Sequence, residues 1–253
     1  MRHYGYPVLA LDPNPYFPMR AILNKWPFLK GLVLSILLSF MPLNWSIKDW
    51  SRVILAVGGT LAVMTLDQDI KDFIHVDLEL LPQDVVWLEK GLNGRSLTIY
   101  MTVAYLGGLA LKNNLVTRVT LMCAESFVLS GAVGQVIKYS VGRHRPKTGD
   151  SPWTWDGPQI EHSSSKSFPS GHTTVAFAIA TTLILTVRQK WVGGLGYFLA
   201  VLTAITRVVK KQHWTSDVLF GAIIGYFVAR QVVRFHEQWR EEPPPLTAGR
   251  VPS

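Results

Sequence analysis

The stretch that decides the fold class of this chain is VTLMCAESFVLSGAVGQVIKYSVGRHRP, residues 119–146. Residues 119–137 contain a single charged side chain, Glu125, whereas the end of the stretch carries Lys138 and Arg145. A helix that spans a membrane needs about 20 largely apolar residues. The stretch therefore predicts a transmembrane helix that ends in a basic cluster at the membrane surface.

Comparable stretches with few or no charges recur on both sides of it, at 31–45, 53–66, 97–111, 173–187, 191–206 and 218–229. Taken singly, several are short enough to be buried helices of a soluble protein, but flanking Arg52, Trp191 and Trp214 can extend them into the membrane interface. Of the 253 residues, 48% are hydrophobic and 17% are charged, against about 25% charged in typical soluble domains. Because so little polar sequence remains to cover them, we expect an all-α bundle of six transmembrane helices.

The composition also narrows the class of protein. Low charge and high hydrophobicity exclude an intrinsically disordered chain. The single cysteine, Cys123, excludes an intramolecular disulfide framework and is expected to be a packing residue. The net charge of +8 is compatible with nucleic acid or with an anionic membrane surface. The distribution of the charges favours the membrane, so we expect no nucleic-acid partner.

The charges between the spans predict an orientation. Segments 112–118 and 188–190 each carry two basic residues and no acidic one, which places them in the cytoplasm. Segment 67–95 carries seven acidic and three basic residues, which predicts an extracytoplasmic amphipathic helix on the membrane surface. Residues 1–50 carry five basic and two acidic residues, so the N-terminus is expected in the cytoplasm. The short segment 31–45 is then interfacial, because a crossing there would reverse this order, and it does not resemble a cleaved signal peptide.

This predicted topology divides the chain into three parts. Residues 1–50 form a cytoplasmic and interfacial segment, and residues 51–235 form the six-span domain. Residues 236–253 are expected to be a disordered tail, since three consecutive prolines follow the last apolar stretch. No internal repeat or second domain is evident.

Three polar clusters lie where predicted spans meet outer loops, at 138–146, 168–172 and 206–217. Lys138, Arg145 and Arg207 supply three positive charges, and the two guanidinium groups suit bidentate binding of phosphate. Ser170 and Gly171 open a predicted helix, so that backbone N–H groups and the helix dipole can face an anion. These clusters therefore predict a phosphate site on the outer side of the membrane.

His213 and Asp217 are four residues apart, a spacing that puts them on one face of a helix. The carboxylate can then hold the imidazole in one tautomer. No group of carboxylates, cysteines and histidines in the sequence suggests a metal site, so we expect no metal and no cofactor, and the cations would take the place of Mg²⁺.

The spacings Lys138-x6-Arg145-Pro146, Pro169-Ser170-Gly171-His172 and Arg207-x5-His213-x3-Asp217 resemble the three-part signature of the type-2 phosphatidic acid phosphatase family. Bacterial acid phosphatases and vanadium haloperoxidases share this signature. The resemblance covers roughly residues 50–235 and includes the six-span arrangement. The third motif of the family usually has Ser before its arginine, where this chain has Thr206, which keeps the hydroxyl.

The resemblance implies a role for each motif residue. His213 would be the nucleophile that forms a phosphohistidine, Asp217 would orient it, and His172 would be the general acid. The residues that would bind the phosphoryl oxygens are Lys138, Arg145, Ser170, Gly171 and Arg207. By the same resemblance the chain is a metal-independent lipid phosphatase of a bacterial inner membrane, whose site faces the extracytoplasmic side and whose partner is a phosphorylated membrane lipid.

Three alternatives stay open from the sequence: a lipid phosphotransferase that uses the same intermediate, a haloperoxidase-like enzyme, and a non-catalytic membrane protein that binds anionic lipids. The motifs do not choose among phosphatidic acid, phosphatidylglycerol phosphate, undecaprenyl diphosphate and lipid A as substrate.

Several residues outside the motifs have simpler interpretations. Arg143 and Lys147 match no motif position and are expected to be juxtamembrane cations that attract anionic lipid, as are Lys210 and Lys211. His144 and His162 are expected to be ordinary loop histidines. Glu125 lies within a predicted span, where it is either functional or hydrogen-bonded to a neighbouring helix. Trp153 and Trp155 either contact a lipid headgroup or anchor the interface.

Overall fold

The computed structural model describes residues 47–74, 91–158, 160 and 162–241. The predicted interfacial segment 31–45, most of the predicted surface segment 67–95 and the end of the chain from 242 lie outside the described residues. Seven α-helices are described: α1 (Ile47–Thr65), α2 (Asp67–Phe73), α3 (Gly94–Ala110), α4 (Asn114–Val141), α5 (Gly171–Thr186), α6 (Lys190–Val209) and α7 (Thr215–Glu241). Short 3-10 turns at Pro146–Thr148 and Ser163–Ser165 lie in the long loop between α4 and α5.

The predicted all-α class is confirmed in the described part of the chain, and all six predicted apolar stretches fall in helices, α1 and α3–α7. α7 continues to Glu241, past the predicted domain boundary at 235. Val232, Val233 and Phe235 are buried up to this boundary, and His236, just past it, lies 2.6 Å from Glu125 of α4, so the end of α7 still packs on the bundle.

Helix boundaries follow local chemistry. Asn93 and Asn113 cap α3 and α4, and each side chain accepts a hydrogen bond from a backbone N–H in the first turn. α4 ends at Gly142, whose φ of 62° is left-handed. A Cβ at this position would lie 2.3 Å from the carbonyl oxygen of Gly157. Glycine is therefore required where α4 turns into the long loop.

Three of the described helices, α4, α6 and α7, are long and apolar enough to cross a membrane. α1 and α2 together would make a fourth span, bent by 52°. α5 is a shorter apolar helix of 16 residues. Large hydrophobic side chains such as Leu55, Val103 and Phe198 are exposed on the outside of the bundle. This exposed apolar surface and the helical spans define an integral membrane protein.

α5 packs against α4, α6 and α7, and its most extensive contact is with α7. A Cβ at Gly225 of α7 would lie 2.3 Å from the carbonyl oxygen of Thr174. This close approach packs the first turn of α5 against the third turn of α7. A hydrophobic cluster between α4 and α7 includes Met122, Leu129, Ile224, Val228 and Val232.

The same end of the bundle receives the bend between α1 and α2, the long α4–α5 loop and the short α6–α7 loop. Backbone hydrogen bonds join these loops, for example from the N–H of Lys147 to the carbonyl of Lys211 at 3.1 Å. All three predicted clusters therefore lie at one end of the molecule.

Candidate functional site

The first and second predicted clusters are joined by hydrogen bonds. The N–H of Ser167 donates to the carbonyl of Arg143 at 2.9 Å, and the N–H of Arg145 donates to the carbonyl of Ser164 at 3.0 Å. Near the end of α4, Lys138 Nζ donates to the carbonyl of Lys166 at 2.8 Å. The loop from α4 therefore folds back over the segment that precedes α5.

The third cluster joins the first two. The N–H of Ser170 donates to the carbonyl of Asp217 at 3.0 Å. Arg145 Nη1 donates to Gln212 Oε1 at 2.6 Å, and the indole N–H of Trp214 donates to the carbonyl of His144 at 2.8 Å. The structure thus brings together three segments that lie apart in the sequence, at 138–146, 168–172 and 206–217.

His213 is buried in the loop before α7, and its Nδ1 lies 2.7 Å from the carbonyl oxygen of Ser167. A carbonyl oxygen only accepts hydrogen bonds, so Nδ1 carries the proton and Nε2 keeps its lone pair. Burial, with Lys138 and Arg145 nearby, lowers the pKa of His213 to about 4, although Asp217 opposes this shift. His213 is therefore neutral at pH 7 and has a nitrogen that can act as a nucleophile.

The Asp217 carboxylate lies 3.8 Å from His213 Nδ1, farther than a hydrogen bond. Its Oδ2 accepts hydrogen bonds from Ser167 Oγ at 2.5 Å and from the N–H of Trp214 at 2.8 Å. The second of these caps the first turn of α7, where a carboxylate is favoured. The sequence predicts a direct contact between carboxylate and imidazole, whereas in the structure Ser167 lies between them.

The prediction that Arg143 is a lipid-attracting surface cation is wrong. Arg143 is 0% exposed, and its Nη1 donates to Asp217 Oδ1 at 2.5 Å while its Nη2 donates to Asp67 Oδ2 at 2.8 Å. Its Nε donates to the carbonyl of Pro152 at 2.9 Å. Arg143 is buried because it pairs with the carboxylates of Asp67 and Asp217, which are buried themselves. A buried charge without a partner is costly, and one guanidinium can pair with both.

Asp67 also differs from its predicted place on an amphipathic surface helix. It is buried at the start of α2 and its Oδ1 accepts the N–H of Ser216 at 2.9 Å. The bend after α1 turns this carboxylate inward, towards the start of α7. The only signal in the sequence is its position, directly after the uncharged stretch 53–66, and that position does not distinguish a buried carboxylate from an exposed one.

The remaining predicted phosphate ligands lie around His213. Lys138 and Arg145 are within electrostatic reach of both His213 and His172, the second residue of α5. Arg207 is buried near the end of α6, and its carbonyl accepts the N–H of His213 at 3.3 Å.

The start of α5 differs in one respect from the prediction. Ser170 precedes the helix and Gly171 begins it, as expected, but the N–H of Ser170 is already bonded to Asp217. The N–H groups of the first turn, from Gly171 onward, have no partner within the helix and remain suited to an anion. No atom lies within 4 Å of a Cβ built on Gly171, so the space beside this residue is open.

Other singled-out residues take structural positions. Thr206 Oγ1 donates to the carbonyl of Thr203 at 2.8 Å, so its hydroxyl is used within α6. Glu125 is buried and lies 2.6 Å from His236 Nε2 on α7, so of the two alternatives the structure shows the hydrogen bond to a neighbouring helix. His144 lies between Asp150 and Asp156, at 2.7 and 2.8 Å, and these carboxylates raise its pKa. Within the described ranges, no group of three His, Cys, Asp or Glu side chains is arranged to hold a metal ion.

A bundle of membrane helices with a cluster of cationic side chains, His172 and His213 at one end defines an integral membrane protein. The profile of the PAP2 superfamily matches residues 120–241, the segment that holds all three motifs. Over these residues the chain belongs to the PAP2 superfamily, and the predicted family is confirmed.

Similar proteins are known from bacteria and archaea. The chain is 40% identical over 107 residues to a lipid A 1-phosphatase of Porphyromonas gingivalis, which covers 42% of this chain and 21% of that protein. It is 35% identical over 104 residues to an undecaprenyl-diphosphatase of Sulfolobus acidocaldarius, and this match covers 41% of this chain and 48% of that protein. The chain thus spans less than half of the length of either relative.

The fold is similar to the crystal structure of a transmembrane PAP2-type phosphatidylglycerolphosphate phosphatase from Bacillus subtilis. The TM-score is 0.54 at 24% sequence identity, and the match covers 76% of this chain and 94% of that one. This similarity supports the transmembrane PAP2 fold.

Proposed function

We propose that the chain is a membrane-embedded, metal-independent phosphatase that hydrolyses a phosphomonoester or diphosphate of a membrane lipid. The observation that carries this proposal is the hydrogen bond from His213 Nδ1 to the Ser167 carbonyl, at 2.7 Å. It leaves Nε2 unprotonated on a buried imidazole that Lys138 and Arg145 surround with positive charge. A neutral nitrogen beside a cationic clamp is what attack on a phosphoryl group requires.

In the proposed reaction, His213 Nε2 attacks phosphorus and the bond from phosphorus to the leaving oxygen breaks. His172 gives its proton to that oxygen, so the lipid or lipid phosphate leaves in neutral or less charged form. A water molecule then attacks the phosphohistidine, His172 takes a proton from it, and free phosphate and neutral His213 are regenerated. Lys138, Arg145, Arg207 and the N–H groups at Gly171 stabilise the charge on the phosphoryl oxygens, while Asp217 positions His213.

Most of the catalytic effect belongs to the nucleophile and the cations. Hydrolysis of phosphate monoesters needs rate enhancements of up to about 10²¹-fold. A general acid or base contributes roughly 10²- to 10⁴-fold. Positioning, nucleophilic attack and the cationic clamp must supply the rest.

The substrate class follows from where the site lies. The site is at the end of the membrane helices, so a phosphate at the bilayer surface can enter while its hydrocarbon chain stays in the lipid. The relatives are a lipid A 1-phosphatase and an undecaprenyl-diphosphatase by name, which supports lipid A phosphate or undecaprenyl diphosphate as the first substrates to test.

The proposed function includes a membrane topology for the chain. Six spans, α1 with α2 and then α3, α4, α5, α6 and α7, would make the domain at 51–235, with residues 1–50 in the cytoplasm. The site would then open on the extracytoplasmic side of a bacterial inner membrane, because the basic loops 112–118 and 188–190 lie at the opposite end.

The test is release of free phosphate from a panel of lipid phosphates by the purified protein in detergent. We expect the wild type to release phosphate from at least one of them, and His213→Ala to lose activity by several orders of magnitude. His162→Ala is the matched control, because His162 is an exposed loop histidine outside the motifs, and it should keep wild-type activity.

Two outcomes would contradict the proposal. Wild-type activity in His213→Ala would exclude the phosphohistidine route. Phosphate transferred to an added acceptor alcohol, with no free phosphate, would make the protein a lipid phosphotransferase instead.

A further inference from the structure

A buried ionic network lies directly behind the proposed nucleophile and includes two residues with no role in the reaction described above. Arg143 is its centre, with Nη1 at 2.5 Å from Asp217 Oδ1 and Nη2 at 2.8 Å from Asp67 Oδ2. All three side chains have 0% exposure. Breaking such a pair by removing one partner strands the other charge in the interior, so the three groups depend on one another.

Arg143 is held in one orientation by further contacts. Its Nη1 also donates to Ser216 Oγ at 2.7 Å. The rings of Trp155 and Trp214 lie 5.1 and 5.6 Å from its guanidinium carbon, within the range of cation–π attraction. A lysine would keep the charge here but could not bridge both carboxylates with a planar fork.

Asp67, at the start of α2, contacts both Arg143 and Ser216. Its Oδ1 accepts the N–H of Ser216 at 2.9 Å, and its Oδ2 accepts a short hydrogen bond from Ser216 Oγ. Ser216 is in the first turn of α7, so Asp67 caps this helix from α2. The residue just before α7 is Trp214, and the one before that is His213. Asp67 therefore fixes the start of the helix on which the position of His213 depends.

The network continues to the imidazole through two contacts. Asp217 Oδ2 accepts from Ser167 Oγ at 2.5 Å, and the Ser167 carbonyl accepts from His213 Nδ1 at 2.7 Å. The carboxylate that Arg143 orients is therefore the one that orients Ser167, whose carbonyl selects the tautomer of His213.

We propose that Asp67 and Arg143 are positioning residues for His213, acting through Asp217 and Ser167. They touch neither substrate nor reacting atoms. They keep the Nδ1–H of His213 on the Ser167 carbonyl and hold its Nε2 towards the phosphoryl group. The kinetic part of this inference rests on the proposed phosphatase activity, whereas the tautomer of His213 can be measured without it.

The experiment uses Asp67→Asn, which keeps the shape and removes the charge, and Arg143→Lys, which keeps the charge and removes the fork. Lys147→Gln is the control, because Lys147 is an exposed cation in the same loop and outside the network. Each protein is purified in detergent. The measurements are kcat and KM on a lipid phosphate that the wild type hydrolyses, inhibition by inorganic vanadate, and the ¹⁵N shifts of the His213 ring.

We expect Asp67→Asn and Arg143→Lys each to lower kcat by about 10- to 100-fold, the range typical of groups that orient a reacting residue. KM and the inhibition constant for vanadate should stay within about threefold, because the phosphate-binding cations are unchanged. The ¹⁵N shifts should report the Nδ1–H tautomer in the wild type and in Lys147→Gln, and a mixture of tautomers in the two network variants.

The proposal is overturned if both folded network variants keep kcat within about twofold and the wild-type tautomer. It is equally overturned if kcat falls while the tautomer is unchanged, or if both variants fail to fold, since the network would then serve the fold alone. Absence of phosphate release by the wild type would contradict the proposed function, and the tautomer comparison would still decide the positioning roles.

Discussion

At the scale of single residues, Ser167 has two contacts that determine what His213 can do. Its hydroxyl donates to Asp217 and its carbonyl accepts from His213 Nδ1. The imidazole and the carboxylate are therefore linked through one residue, whose backbone carbonyl can only accept a hydrogen bond. A change at Asp217 can therefore reach the tautomer of His213 only by moving Ser167.

The burial of His213 predicts how stability depends on pH. Its pKa is about 4 in the folded protein and about 6.5 in an unfolded chain. Between these values the unfolded state binds one more proton than the folded state, so this residue lowers stability as the pH falls from 6.5 towards 4. Thermal unfolding in detergent at pH 7 and pH 5 should show a larger decrease in Tm for the wild type than for His213→Gln.

His236, Glu125 and the other titratable groups are common to both proteins, so the comparison isolates His213. An equal decrease in Tm in the two proteins would contradict the low pKa of the folded histidine. The same low pKa implies that Nε2 keeps its lone pair under mildly acidic conditions, where an exposed histidine would be protonated.

At the scale of secondary-structure elements, the contact between α5 and α7 sets the geometry of the site. α5 carries Gly171 and His172 at its start, and α7 carries Asp217 in its first turn. The hydrogen bond from the N–H of Ser170 to the Asp217 carbonyl, at 3.0 Å, joins these two helix starts. The second and third motifs therefore keep their relation only while the helices stay close.

Gly225 is expected to be essential for this close packing. In Gly225→Ala the new Cβ would lie 2.3 Å from the Thr174 carbonyl and 2.8 Å from the N–H nitrogen of Ala178. The helices must separate, at a cost of about 1–3 kcal/mol typical of overpacking. We expect a lower Tm and a clear loss of phosphate release, measured on the purified variant.

Gly194→Ala on α6 is the control, because no atom lies within 4 Å of its added Cβ. That change should leave activity unaltered and raise stability slightly, since alanine is favoured over glycine in a helix. Unchanged activity in Gly225→Ala would show that the helix contact does not set the geometry of the site.

At the scale of the whole molecule, the helices separate two ends of different chemistry. One end holds the buried network, His172, His213 and the loop 142–170, and the other holds the α3–α4 connection with its basic residues. Cys123 is buried, at 4% exposure, and it is the single cysteine of the chain. The natural protein is therefore a suitable background for placing reporter cysteines at either end.

Labelling of intact bacterial cells with a membrane-impermeant maleimide tests the proposed orientation. Lys147→Cys is in the loop beside the site and should react from outside, whereas Asn114→Cys, at the start of α4, should react only after permeabilisation. Both positions are exposed. The reverse pattern would place the site in the cytoplasm and contradict the proposed topology.

Much of the fold could be predicted because its signals are local. An uncharged stretch must be helical in a membrane, since its backbone polar groups have no other partners there. The six predicted stretches are therefore found in helices, and the predicted helix start at Ser170 and Gly171 is found as well. The motif spacing likewise indicates the residues of the site, since the same few residue types recur wherever phosphate is held by cations.

Arg143, Asp67 and Ser167 could not be predicted in the same way. Arg143 and Lys147 are both cations in one basic loop, yet the first is fully buried and the second is exposed. The difference comes from Asp67, which lies more than seventy residues earlier in the chain and faces Arg143 only because α1 bends into α2. No local pattern contains that information.

The sequence by itself determined the helical class, the membrane location and the candidate residues of the site, because hydrophobicity, charge and motif spacing are short-range properties of the chain. Only the tertiary structure decided which cation pairs with which carboxylate, and which atom accepts a hydrogen bond from the His213 imidazole. Those choices depend on distances of about 3 Å between side chains from different helices, and such distances exist only once the helices have packed.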